Sequence, residues 1–503
     1  MAVKPSLRFP LPVLLTKRFE SFVGALGDSL GITLFCPQFN DVSELKGFCS
    51  FSENHPWRLV LSRLSSRSRL SAVHSLFLFR KVIPSSEPLV GPYVERMCTE
   101  QESADPRFVD FCRMYVRRLF PVGWDRRTYR DRCTTSTLPL SACSESGRKS
   151  GGCRGLELCG RWDREDFCSY VLESVVPRHR GVSRVKAVET GGKWRVISIP
   201  PRVENALRPF HQSLYDYVSR FDWCLRGDVK PASFSAFKRR EGEVYVSGDY
   251  ESATDNLNSE VQSAILDEVA KRAVTVPSGI LQHAASTFKS RLEGGGVSGV
   301  QARGQLMGQL LSFPLLCLVN YITFKFLVRR DVPVRVNGDD IVFRSTPDEA
   351  TRWKEGVCAS GLVLSLGKTM VDRRFFSLNS SIFDAGWNRV RSVGFVRPRV
   401  IWGSKEHKAE KIESLKSRFY ALTSGLGREK TSVFRRLFLR ENYQTILSCR
   451  RSLTRGMGMK VTEDELRDSG LWHRELFYLE LVTEPSLPTL SYAQVRSNDI
   501  PQG

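Results

Sequence analysis

The chain has 503 residues, with 75 lysines and arginines against 54 acids, a formal charge of +21 and a pI near 9.6. That length admits more than one core, and the charge points to a polyanionic partner, nucleic acid first. Thirteen scattered cysteines exclude a small disulfide framework. Pro10-Leu-Pro-Val-Leu-Leu15 is too short and proline-broken for a secretory core, so an intracellular chain with reduced thiols is expected.

Residues 1 to about 180 carry mixed helical patterns broken by polar segments, and Thr134–Gly152 reads as a loop. Basic clusters recur at Arg126-Arg127 to Arg132, Lys238-Arg239-Arg240 and Arg450-Arg451. Trp124 and Tyr129 stand in the first, so an RNA path is the expectation for the aggregate charge. Val182–Pro200 is β-like, a hairpin about Gly191-Gly192 on which Lys193 and Arg195 face one side. Asn205–Arg220 and Ser259–Ala273 have helical spacing, the second with Val261, Ile265, Leu266 and Val269 on one face. Gly294–Gly304 reads as a flexible glycine-rich loop leading into a Leu306–Val328 helix. The run Leu310–Val328 is long enough to raise a membrane span, but Pro314, Asn320 and Lys325 interrupt it and it reads as a buried helix. Ala350–Ser360 is a further helix, and Ile412, Leu415, Phe419 and Leu422 mark another in the basic region after about 400. The tail from Thr483 is expected to fray, and no repeat is visible at a period of roughly 20–50 residues.

Two segments carry the chemistry. Val244 and Val246 lead a β-favouring run to Gly248-Asp249, and Val332, Val334 and Val336 alternate up to Asn337, with Ile341-Val342-Phe343 resuming after it. The second pattern reads as a β-hairpin with Gly338, Asp339 and Asp340 at its tip. With Asp249 on an adjacent strand end, three carboxylates converge. They would repel one another unless cations filled the site, and hard oxygen ligands favour Mg²⁺ or Mn²⁺. Two such ions suit in-line nucleotidyl transfer. Two other patterns carry no site. Gly425-Leu-Gly-Arg-Glu-Lys430-Thr431 has Glu429 where a phosphate loop has its last glycine, and Cys143, Cys153, Cys159 and Cys168 form no closely spaced pair for zinc.

Over 186–384 the chain resembles the viral RNA-dependent RNA polymerases of the narnavirus, ourmiavirus and levivirus assemblage, most of all the ourmia-like branch. The residues that carry this are Lys186-Ala-Val-Glu-Thr-Gly-Gly-Lys193-Trp-Arg195, Gly248–Leu257, Arg303-Gly-Gln-Leu-Met-Gly308 through Ser312-Phe-Pro-Leu-Leu, Gly338-Asp-Asp, Gly367-Lys368-Thr369 and Phe375-Phe-Ser-Leu-Asn379-Ser. Six motifs in order are far more specific than a lone Gly-Asp-Asp. The resemblance implies an α+β right-hand polymerase of fingers, palm (a small antiparallel sheet backed by helices) and thumb. Its segments would be 1–180 as N-terminal extension and part of the fingers, 181–245 as fingers, 246–395 as palm with a fingers insertion near 274–300, and 396–503 as thumb and tail.

The same resemblance implies an RNA-directed RNA polymerase that copies a viral positive-strand genome from NTPs with two Mg²⁺ or Mn²⁺ ions. Asp249 and Asp339 would bridge the ions and Asp340 would be a weaker ligand. Lys186, Lys193 and Arg195 would meet the triphosphate. Asp255 would read the ribose 2′-hydroxyl, with Asn256 or Ser312 as its partner. Lys368 would be a general acid for the leaving pyrophosphate. Gly304, Gln305 and Gly308 would allow close approach of template or nucleotide. Template and nascent RNA are the implied partners, with the genomic RNA as a ribonucleoprotein, no membrane span, and the host cytoplasm favoured over the mitochondrion. A reverse transcriptase is the nearest alternative, but those carry an aromatic residue before the paired acids where this chain has Asn337-Gly338. A non-catalytic basic RNA-binding protein would explain the charge and leave the ordered carboxylates unexplained.

Overall fold

The computed structural model describes residues 13–155, 164–173, 181–190, 193–365, 367–386, 388–403 and 412–480. They form two compact units, one of 84–393 and one in which residues up to 83 join those from 394 onward. The Gly191-Gly192 turn, Cys159 and the tail from Thr483 lie outside the described residues.

The larger unit holds three sheets. In the first, β1 (Val182–Thr190), β2 (Lys193–Ile199), β4 (Arg291–Gly294) and β5 (Val297–Val300) run in the order β2-β1-β4-β5. The second comprises β3 (Val244–Gly248), β6 (Val334–Asn337), β7 (Asp340–Ser345) and β8 (Met370–Asp372), antiparallel in the order β6-β7-β3-β8. A three-stranded meander follows, β9 (Phe375–Leu378), β10 (Ser381–Asp384) and β11 (Arg391–Val393). Helices α1 (Val90–Met97), α2 (Pro106–Leu119), α3 (Arg208–Val218), α4 (Ser259–Lys271), α5 (Ser312–Leu327) and α6 (Pro347–Gly356) pack among them.

Strand β3 is buried at every position because it is paired on both edges and covered on both faces. Its near-continuous apolar run follows from that, since a strand covered on both faces has no polar side to alternate with. Helix α6 begins at a capping box, Thr346 with Glu349, with Pro347 in its first turn. Helix α4 begins at Asn258, whose carboxamide accepts from the Glu260 and Val261 N–H groups. Its predicted face, Val261, Ile265, Leu266 and Val269, lies in the main core with α5. Helix α5 is buried along almost its whole length. Among the described residues no helix is long and apolar enough to cross a membrane.

The smaller unit is mostly helical. Val13–Leu30, Ser66–Phe79, Ile412–Ala421 and Arg428–Glu441 share a core that includes Phe19, Phe22, Phe79, Phe419, Phe434 and Phe438. Of the expected stripe, Leu415, Phe419 and Leu422 lie in this core.

Three expectations need correction. Gly294–Gly304 is not one flexible loop: β4 and β5 pair as a hairpin closed by Gly295-Gly296, both at positive φ. Two-residue turns of that kind require positive φ, which glycine adopts without a steric cost. The helix expected from Leu306 begins only at Ser312, because 306–311 are held in a turn by neighbouring segments. Trp124 and Tyr129 are core residues and offer no platform to RNA; their polar atoms donate to the Val269 and Val171 carbonyls.

Gly248 shows how tightly the sheet end is built. A Cβ there would lie 2.5 Å from the Trp353 ring and 2.8 Å from Ile341, and Trp353 is fully buried. Gly248→Ala should therefore cost about 1–3 kcal/mol by overpacking. A thermal melt checks this: an unchanged midpoint would mean that α6 yields freely.

Candidate active site

The hairpin β6–β7 closes on a two-residue turn. Asn337 pairs with Asp340 in the last rung, so Gly338 and Asp339 form the turn and Asp340 is the first residue of β7. Gly338 has φ +64, a conformation that side chains with a Cβ resist. The other neighbour of β7 is β3, with Gly248 opposite Ile341. Asp249 thus leaves its strand beside the turn that carries Asp339.

Helix α5 pins this turn through groups that read in the sequence only as interruptions. Asn320 is fully buried, and its amide donates to the carbonyls of Gly338 (3.1 Å) and Asp339 (3.3 Å). Its oxygen accepts from the Tyr250 hydroxyl at 2.8 Å. The Gly338 N–H donates to Cys317 Sγ at 3.2 Å. One carboxamide therefore joins the residue after Asp249 to the turn that holds Asp339.

The three carboxylates feel one another. Burial raises the Asp339 pKa and Asp249 adds to the rise, while Arg195 and Lys368 oppose it. Asp340 is pushed up to about 7 by burial, then by Asp339 and Asp249. The Asn379 N–H, in the β9–β10 turn, donates to Asp340 Oδ2 at 3.1 Å. Asn379 and Ser380 both adopt positive φ in that tight turn.

Lys368 arrives at the site through the backbone. The Asp249 carbonyl accepts from the Ser365 N–H at 2.9 Å, and the Ser365 carbonyl accepts from the N–H groups of Lys368 (2.9 Å) and Thr369 (2.8 Å). The turn hangs from Asp249 itself, and Lys368 Nζ lies 2.9 Å from Asp249 Oδ1. Among the described residues no three His, Cys, Asp or Glu side chains are grouped as a metal site. One oxygen of Asp249 meets the Lys368 ammonium and one of Asp340 accepts from the Asn379 N–H.

On the basic hairpin, Lys186 pairs with Ile197, Val188 with Arg195 and Thr190 with Lys193. Alternation then places Lys186, Lys193 and Arg195 on one face, and all three are exposed. Arg195 is near enough to Asp339 to oppose the rise in its pKa.

Gly304, Gln305 and Gly308 lie close against the chain's own backbone. A Cβ on Gly304 would lie 2.6 Å from the Asp255 carbonyl oxygen, and one on Gly308 would collide with the Ser198 carbonyl. Gln305 is buried and its N–H donates to the Thr254 carbonyl at 2.7 Å. Neither expected partner touches Asp255. The Asn256 amide donates to the Glu251 carbonyl and the Ser312 hydroxyl to the Leu306 carbonyl. Asp255, in a one-turn helix at Ala253–Asn256, instead meets Arg96 and Tyr93 of α1. Nothing in the local sequence marked Arg96, which is 159 residues away.

No family model matches the chain. A stretch of 252 residues, 44% of the chain, is 29% identical to the RNA-dependent RNA polymerase of Ourmia melon virus (isolate Melon/Iran/VE9) and spans 29% of that relative's length. The crystal structure of the RNA-dependent RNA polymerase of a human picobirnavirus superposes with a TM-score of 0.51 at 11% identity, over 93% of this chain and 95% of that one. The chain has the fold of a viral RNA-dependent RNA polymerase. The polymerase complex inside a double-stranded RNA virus matches at a TM-score of 0.50 and 10% identity, over 85% of this chain and 42% of that chain. The α+β right-hand class and the ourmia-like resemblance both hold.

Asn320→Leu keeps the side-chain branching but takes the partner from the Gly338 and Asp339 carbonyls and the Tyr250 hydroxyl. A buried group left without its partner costs about 1–3 kcal/mol. Tyr250→Phe removes one hydroxyl and strands only the Asn320 oxygen. The melting point should fall further for Asn320→Leu than for Tyr250→Phe; the reverse order would show that Asn320 does not carry the turn.

Proposed function

We propose that this chain is an RNA-directed RNA polymerase, a nucleotidyltransferase that copies a viral positive-strand RNA genome from NTPs. The observation that carries the reading is the placement of Asp249, Asp339 and Asp340 at adjoining strand ends, with Lys368 on Asp249 and Arg195 near Asp339. Repulsion among these acids leaves the site short of positive charge, and their all-oxygen donors fit hard divalent cations. Asp249 and Asp339 would hold two Mg²⁺ or Mn²⁺ ions, with Asp340 as an outer ligand. Ions held there would supply positive charge to activate the primer 3′-hydroxyl and to neutralise the leaving pyrophosphate.

The chain's own residues supply the rest. Lys186, Lys193 and Arg195 offer a cationic face on which an entering triphosphate is held and its developing charge stabilised. Lys368 stands at Asp249, so the amine is at hand to protonate the leaving group, a role worth roughly 10²–10⁴-fold. Asp255 would accept a hydrogen bond from the ribose 2′-hydroxyl. The net charge of +21 suits the RNA template and product, the genomic RNA included.

The direct test is divalent-dependent NTP incorporation on an RNA template. Asp339→Asn should lose several kcal/mol of transition-state stabilisation, each ~1.4 kcal/mol being tenfold in rate, while RNA binding persists. Activity within a few-fold of the parent would remove Asp339 from the site.

Lys368 separates two roles. Lys368→Leu should slow incorporation with little change in NTP affinity. Lys368→Arg keeps the charge but cannot readily release a proton, so it should also be slow. If the arginine variant matches the parent while the leucine variant is slow, Lys368 acts as a fixed charge and not as an acid.

A further inference from the structure

We infer that Arg96 of α1 is the positioning residue for sugar selection, fixing the Asp255 carboxylate in the orientation that reads the ribose 2′-hydroxyl. This rests on the polymerase reading above and on Asp255 as the ribose-reading acid. The geometry divides the two carboxylate oxygens. Arg96 Nη2 lies 2.7 Å from Oδ2, a short charge-assisted bond. Oδ1 has only longer contacts, 3.4 Å from the Tyr93 hydroxyl and 3.3 Å from the Thr254 hydroxyl. The oxygen with room for a new short bond is therefore Oδ1, and Arg96 decides where it points.

The carboxylate needs this help. Its side chain is only 13% exposed, and burial raises its pKa while Arg96 opposes the rise. An ionised carboxylate is the stronger acceptor for a hydroxyl, so the guanidinium both orients the acid and favours its reading form. Arg96 is itself steadied, 5.5 Å over the Tyr93 ring.

Residues after α1 continue as a strap across the same turn. Gln101 donates to the Asn256 carbonyl at 3.0 Å and accepts from the Ser259 N–H at 3.2 Å. The Asn258 amide donates to the Glu102 carbonyl at 3.0 Å, and the Ala104 N–H donates to Glu260 at 2.9 Å. Arg303 adds a bond from the other side, to the Asp255 carbonyl at 3.3 Å. The strap holds the backbone of the turn; within it only α1 reaches the carboxylate.

The experiment measures kcat/KM for an NTP and its dNTP with the full chain carrying Arg96→Gln, Arg96→Lys, Asp255→Ala, Gln101→Ala, or Arg96→Gln with Asp255→Ala. Arg96→Gln should narrow the preference for the ribonucleotide roughly ten- to hundred-fold, chiefly by impairing the NTP. Arg96→Lys should restore part of it. Arg96→Gln should add nothing once Asp255 is alanine, and Gln101→Ala should leave the preference intact. If Asp255→Ala abolishes the preference and neither Arg96 variant alters it, Arg96 has no part in selection while the ribose reading stands. If Asp255→Ala leaves the preference unchanged, the ribose reading fails and this inference with it. A loss from Gln101→Ala equal to that from Arg96→Gln would assign the effect to strap packing and overturn the claim for Arg96. Arg96→Lys, which keeps the charge, carries the comparison if the glutamine variant does not fold.

Discussion

Three acids are held together at one end of the β6-β7-β3-β8 sheet, and the segments around them fix that arrangement. Asp340 is pushed up to about 7, and Asp339 rises with it. Left to itself, a turn carrying such acids would swing away from Asp249. It is held by the β3–β7 register, by the Asn320 amide on both turn carbonyls, and by Cys317 under the Gly338 N–H. The cations of the chain stand around the same point, Lys368 on Asp249 and Arg195 near Asp339. Fixed cations in a preorganised site are what a reaction that spreads negative charge can use.

How much of this was legible depends on how local each signal is. The β6–β7 hairpin could be read because Val332, Val334 and Val336 alternate up to a Gly-Asp turn, and period two is a property of a few neighbouring residues. The α4 face was legible for the same reason. The β4–β5 hairpin was within reach, since Gly295-Gly296 between two short runs is a turn signal, but a third glycine beside them made the stretch look merely flexible. Trp124 and Tyr129 show the opposite error: a basic neighbourhood in sequence says nothing about which way an aromatic ring points once a helix packs.

The site signals that were missed are tertiary. Asn320 looked like a blemish in an apolar run, yet a fully buried carboxamide must find partners, and it finds the Gly338 and Asp339 carbonyls and the Tyr250 hydroxyl. Gly304 and Gly308 were rightly marked as points of close approach. What approaches is the chain's own backbone at Asp255 and Ser198, because the turn before α5 is wedged between the Asp255 segment and β2. No spacing rule could have said which protein segments these glycines would face.

The commitments of α5 also explain why the brace on Asp255 comes from so far away in the chain. Ser312 spends its hydroxyl on the Leu306 carbonyl, Cys317 takes the Gly338 N–H, and Asn320 is engaged on the Gly338–Asp339 turn and Tyr250. Asn256, though adjacent to Asp255, turns its amide back to the Glu251 carbonyl. A half-buried acid still requires a partner for its charge. Helix α1 packs on β4 and β5, the hairpin whose glycines allow close contact: a Cβ on Gly299 would lie 2.6 Å from Cys98 Sγ. That packing carries Tyr93 and Arg96 to the Asp255 turn. The glycines of a hairpin that the sequence presented as slack thus bring the N-terminal segment close enough to complete the site.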